Sequence, residues 1–305
     1  SFQNRVTTGR WTLPISIIIC IFGWMLSYIL LPDLTMAAGQ EDGSPLWEAA
    51  RTFLMPGWAE YLSSFLIYAL IGYFLIELNY QFGIIRMRAS VQTAIYFLFV
   101  TVCPEMHLLY AGDVAAVAFL ISVYFLFKSY QETHSAKYLF YSFLFIGAGS
   151  ILFPQLSFFT ILWFIEAYRF QSLTFRSFWA AIVGWAMPYW FLLGHAFFYG
   201  DMEMFYRPFR ELVNFSHLFD YSILLPWQLA TLGYLLVLSI VSAGHCFVAG
   251  FEDKIRTRVF LQFLINVTLF IFLLIALQPS YCSDLLPLLM ITCSILTGHL
   301  FVLTN

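Results

Sequence analysis

Six side chains in this sequence combine a reactive type with an unusual position. Asp33 follows Leu31-Pro32, directly after the first long apolar run. Glu105, His107 and Asp113 stand in Pro104-Glu105-Met106-His107-Leu108-Leu109-Tyr110-Ala111-Gly112-Asp113, between two further apolar runs. Arg207 and Arg210 stand in Arg207-Pro208-Phe209-Arg210-Glu211, with Tyr206, Phe215 and Phe219 around them. A positioned carboxylate can take a proton from a hydroxyl, and a planar guanidinium suits phosphate. By type, Asp33, Glu105 and Asp113 are candidates for catalytic acid–base work. Arg207, Arg210 and His107 are candidates for contact with a phosphate or lipid headgroup. Plain alternatives stand beside these readings: a helix-flanking residue for Asp33, a solvated face for the carboxylates, and a short interfacial helix with aromatics toward lipid around Arg207 and Arg210.

Other chemistry is harder to place. The five cysteines show no paired metal spacing, although a bridge between Cys103 and Cys282 stays open. His195, His245, His299 and Asn266 read as isolated polar groups that hydrogen-bond to a neighbouring helix. No Walker motif, zinc-protease helix, G-x-S-x-G elbow or haem signature is present, so no motif indicates a cofactor, and the identity of any metal is unknown.

The elements that must carry these residues follow from composition. The chain has 305 residues, 61% hydrophobic and only 10% charged, with a mean hydropathy of +0.82. Soluble domains carry roughly 25% charged residues, so the main solvent here is lipid. A net charge of -3 spread over few charges excludes the basic surface that nucleic acid requires. A helix crossing a core of roughly 30 Å needs about 20 apolar residues. Five runs meet that length: Thr12–Leu31, Trp58–Asn79, Ser177–Tyr199, Ser222–Ala249 and Val259–Leu277. Five are shorter or interrupted: Val91–Leu109, Val114–Phe127, Tyr138–Leu152, Leu156–Tyr168 and Leu285–Leu303. The expectation is an all-α, polytopic transmembrane bundle of about ten membrane-embedded helices. Eight full spans plus a re-entrant pair is the alternative.

Charge sorting orients the bundle. With the N-terminus inside, eleven of the 14 Lys and Arg fall in inner segments, as the positive-inside rule requires. Twelve of the 17 carboxylates fall at or beyond the outer boundary. Both termini are therefore expected in the cytoplasm, with residues 1–305 forming one integral membrane domain and outer loops at about 32–57 and 200–221. The first run reads as a retained signal anchor, being too long for a typical signal-peptide core. Three of the shorter runs suggest an outward crevice. Val114–Phe127 has 14 residues, roughly 21 Å of helix, and Tyr138–Leu152 and Leu156–Tyr168 are separated only by Phe153-Pro154-Gln155. Glu105, His107 and Asp113 would then lie partly within membrane depth, where ionisable groups commonly face a cavity or a substrate path. Alternatively, the polar ends of these runs are helical and lengthen the spans.

The arrangement resembles the membrane portion of polyprenyl-phosphate-dependent glycosyltransferases of the GT-C fold class. That resemblance implies a carboxylate base soon after the first span, at Asp33 or at Glu41/Asp42. It also implies a metal- or acceptor-binding carboxylate at Glu105 or Asp113, and a donor-phosphate contact at Arg207 or Arg210. More closely, the stretch from Pro104-Glu105 through Leu152-Phe153-Pro154, with its Phe145-Ile146-Gly147-Ala148-Gly149-Ser150 segment, resembles a family of polytopic inner-membrane proteins of Bacteroidota that brings no established activity. The chain departs from the transferase pattern in having no adjacent acidic pair immediately after the first span. The expected function is a lipid-linked sugar transferase of the inner membrane, or a non-catalytic relative with an outward crevice. The alternative is a structural or assembly subunit of a larger membrane complex. Expected partners are membrane lipid, a polyprenyl-phosphate-linked substrate and other membrane subunits.

Overall fold

The computed structural model describes residues 11–30, 47, 57–85, 90–213, 218–249 and 253–303. Among these residues there are eleven α-helices, four short 3-10 turns and no strand. In chain order the helices are α1 (Thr12–Leu30), α2 (Gly57–Phe82), α3 (Ser90–Val102), α4 (Ala111–Lys128), α5 (Ala136–Leu152), α6 (Phe159–Arg169), α7 (Phe175–Tyr199), α8 (Glu203–Val213), α9 (Pro226–Ala249), α10 (Ile255–Leu277) and α11 (Cys282–Leu303). Seven of them, α1, α2, α4, α7, α9, α10 and α11, are long and apolar enough to cross a membrane. The chain is thus an all-α, multi-pass membrane protein. Each of the ten apolar runs contains one helix, and the eleventh helix, α8, is the short polar one carrying Arg207 and Arg210.

Two runs end sooner than their hydropathy suggests, for the same reason. Val91–Leu109 stays helical only to Val102, and Leu156–Tyr168 becomes regular helix only from Phe159. In both places a proline opens a 3-10 turn, Pro104–His107 and Pro154–Phe158, and the preceding residue is extended: Cys103 at φ -105°, ψ 99° and Phe153 at φ -129°, ψ 92°. The pyrrolidine ring forces its predecessor out of the helical region, so the apolar run bends although its hydropathy is unbroken. The Val114–Phe127 run goes the other way. Helix α4 starts at Ala111 and ends at Lys128, with Asp113 in its first turn and Lys128 in its last. Those charges complement the helix dipole and lengthen the helix to roughly 27 Å.

The helices sort into two compact units. In the first, residues 1–40, 56–110 and 217–305, helix α11 is the hub. It packs against α3, α9 and α10, and 89% of its span is buried inside the protein, against 17% for α9 and 22% for α1. Gly298 lets α11 approach α3, since a Cβ there would meet Gln92 and Ile85. Gln92 in turn donates its amide to the Leu75 carbonyl on α2. Helix α2 is closed by Asn79, whose Oδ1 accepts from the Ile85 N–H at 2.7 Å, with Gly83 at φ 60° making the left-handed turn.

The second unit, residues 41–55 and 111–216, is built on α4, α5 and α7. Gly147 of α5 faces the Trp185 carbonyl, and Gly184 of α7 faces the Phe140 carbonyl, so the two backbones touch. Small residues at such a crossing replace the hydrophobic drive that is missing inside lipid. Trp163 of α6 donates to Ser122 at 2.7 Å, and Ser142 donates to the Ser122 carbonyl at 2.9 Å, which joins α4, α5 and α6.

Candidate functional site

The sharp end of α3 positions the strongest polar cluster of the first unit. After Val102 the 3-10 turn carries Glu105, Met106 and His107 inward, and all three are buried. Helix α2 fixes the turn from below: Ser64 donates to the Met106 carbonyl at 3.0 Å and Tyr68 to Met106 Sδ at 3.3 Å. Glu105 then reaches the first turn of α9. Its Oε1 accepts from Trp227 Nε1 at 2.7 Å and its Oε2 from Gln228 Nε2 at 2.8 Å. The Gln228 amide also donates to Ser283 at the start of α11, at 3.3 Å. A carboxylate at a helix N-terminus is favoured by the helix dipole, so the Glu105 cluster is matched to its place.

His107 points elsewhere. Its ring lies against the indole of Trp24 on α1, with centroids 3.9 Å apart. It is 2% exposed, and neither ring nitrogen has a hydrogen-bond partner. His107 is therefore a buried ring packed on α1. Glu105 and His107 share a turn but serve different helices. Asp113 is fully buried in the second unit, near the start of α4, and is not without partners.

Arg207 and Arg210 are paired along α8. Arg207 Nε meets Glu211 at 3.0 Å, and an Arg210 nitrogen meets Glu203 at 2.7 Å. The helix is held by its other face, where Phe209 lies on Tyr189 with centroids 5.0 Å apart and Pro208 is buried. Tyr189 is fixed through its hydroxyl by Ser150 at 2.7 Å and Ser157 at 3.3 Å. The segment forms a short helix whose Phe209 turns toward Tyr189 of α7. A shallow recess of about 1020 Å3 lies along its polar face. Asp33, Glu41 and Asp42 lie outside the described residues.

Two features escaped the sequence reading. The first is an apolar groove of about 550 Å3 in the first unit, between α3, α9 and α11. Its floor is Leu235 and Met290, its rims include Leu98, Tyr234 and Phe301, and one end reaches Cys103, two residues before Glu105. The second is a chain of three polar side chains at the far ends of α9 and α11. Cys246 Sγ lies 3.6 Å from His299 Nδ1, and His299 Nε2 lies 2.9 Å from Asp253 Oδ2. Neither had a local signal, because the bonded partners of the polar chain are 46 and 53 residues apart and the groove is shared by three helices distant in sequence. All five cysteines are free, so Cys103 and Cys282 are not bridged. Among the described residues no three His, Cys, Asp or Glu side chains are placed to hold a metal ion. No protein-family model matches the chain, and no curated protein or solved structure matches it either.

Proposed function

We propose that this protein takes up a lipid-linked substrate sideways from the bilayer, holding its apolar chain in the groove between α3, α9 and α11 and its headgroup beside Glu105. The observation that carries this reading is the groove, whose apolar length ends within two residues of the buried carboxylate. A cleft with apolar walls and a few polar groups at one end is the usual form of a site for an amphiphile. The substrate class is a polyprenyl phosphate or its sugar-bearing derivative, as the sequence's resemblance to GT-C transferases implies. In that reaction Asp33 would take the proton of the acceptor hydroxyl and Glu105 would orient the headgroup.

The test is to purify the full chain in mild detergent and quantify bound lipid phosphate by mass spectrometry. One polyprenyl phosphate per chain is expected, falling at least fivefold when Leu238→Trp fills the groove. Absence of lipid phosphate, or equal retention by the variant, would overturn the reading. A second reading, an assembly subunit, is favoured by the outward apolar faces of α1 and α9. Its signature is a stoichiometric protein in the same purification in place of the lipid.

A further inference from the structure

The far end of α9 holds a second constellation, roughly 28 Å along the helix from Trp227. His299 carries Asp253 on one ring nitrogen and Cys246 on the other. With Nε2–H donating to the Asp253 carboxylate, Nδ1 is the acceptor for the Cys246 thiol proton. Nucleophile, base and orienting carboxylate therefore stand in the order on which acyl-transfer sites are built. Exposure follows the same order. Asp253 and His299 are 5% and 2% exposed, whereas Cys246 is half-buried and the other four cysteines are buried. A purely structural His–Asp pair would not require the most accessible thiol of the chain on its second nitrogen.

We propose that Cys246 is the nucleophile of a second site, which accepts an acyl group from an amphiphilic acyl thioester, with His299 as general base and Asp253 as a positioning residue. The Cys246 sulfur attacks the thioester carbonyl carbon. A new carbon–sulfur bond forms while the bond from that carbon to the donor sulfur breaks. The thiol proton passes to His299 Nδ1 and from there to the departing thiolate. The products are S-acyl Cys246 and a free donor thiol, with no change of oxidation state. A thioester donor is chosen because exchange between two sulfurs is close to balanced, whereas an oxygen ester would have to be driven. The surroundings suit an amphiphile. Phe247 and Val248 are 70% and 76% exposed beside the thiol and offer an apolar surface to the acyl chain. Lys254 and Arg258, both exposed next to Asp253, offer cations to a phosphate-bearing carrier.

The test reads acylation of Cys246 and substitutes no residue that lines the Glu105 groove, so its failure is distinguishable from failure of the groove reading. Purified full-length protein is incubated with palmitoyl-coenzyme A and examined by intact mass and peptide mapping. One hydroxylamine-labile acyl group on Cys246 is expected, formed at a rate that saturates with donor and absent from Cys246→Ser. His299→Gln and Asp253→Asn, shown by elution volume to be folded, are expected to acylate at least tenfold more slowly. An unlabelled wild type, labelling spread over other cysteines, a rate strictly linear in donor, or an unchanged rate in folded His299→Gln would each overturn the proposal. The wild-type saturation curve decides the matter without a variant should both variants aggregate.

Discussion

Glu105 accepts a hydrogen bond from the indole N–H of Trp227 at 2.7 Å, across 122 residues of sequence. The bond fastens the turn after α3 to the first turn of α9, and Gln228 doubles it through the other carboxylate oxygen. Removing the acceptor deprives the buried Gln228 amide and the half-exposed Trp227 indole of their partner, which costs about 1–3 kcal/mol. Glu105→Ala is therefore expected to lower the thermal unfolding midpoint in detergent, and Glu105→Gln, which keeps one acceptor oxygen, to lower it less. Identical midpoints for wild type and both variants would show that the cluster is not a fastening.

The α5–α7 crossing tolerates no side chain at its glycines. A Cβ at Gly147 or Gly184 meets carbonyl backbone of the partner helix, whereas one at Gly194 meets nothing within 4 Å. Gly147→Val and Gly184→Val are each expected to cost about 1–3 kcal/mol through forced separation of the helices. Gly194→Ala is expected to be neutral or mildly stabilising, because it gains helix propensity at no steric cost. Equal unfolding midpoints for Gly147→Val and Gly194→Ala would contradict the close crossing.

Orientation is open to a direct reading with a reporter enzyme that is active only outside the cytoplasm. Fusion after Gly200 is expected to give activity, and fusions after His134 or Lys254 none. The opposite pattern would invert the positive-inside assignment. A fusion at Gln155 separates ten crossings from eight, since a re-entrant pair keeps its tip within the membrane.

The solvent and the element type were legible in the sequence because both depend on local sums. Twenty apolar residues in a row leave the backbone no partner but itself, so helix follows wherever the chain is surrounded by lipid. A short helix around Arg207 and Arg210 was one of two readings the sequence left open, and α8 is helical there. The helix ends were less legible. Hydropathy does not register that Pro104 and Pro154 cannot continue a helix begun before them, and that local steric rule placed Glu105 and His107 inside the protein.

What only the tertiary structure decided is which polar groups meet. His299 read as an isolated polar residue, and neither Asp253 nor Cys246 stood out. Each is ordinary until α9 and α11 pack and bring them within hydrogen-bonding reach. Glu105 was singled out from its position, yet its partners Trp227 and Gln228 carried no sign of it. Hydropathy measures each residue's preference between water and lipid and so yields helices and their sides. Pairing depends on how helices rotate and cross, which side-chain volume and a few glycines settle in three dimensions. The six residues that opened the sequence reading therefore divide: Glu105 keeps a place beside the proposed lipid groove, His107, Asp113, Arg207 and Arg210 are held within the protein's own contacts, and Asp33 lies outside the described residues.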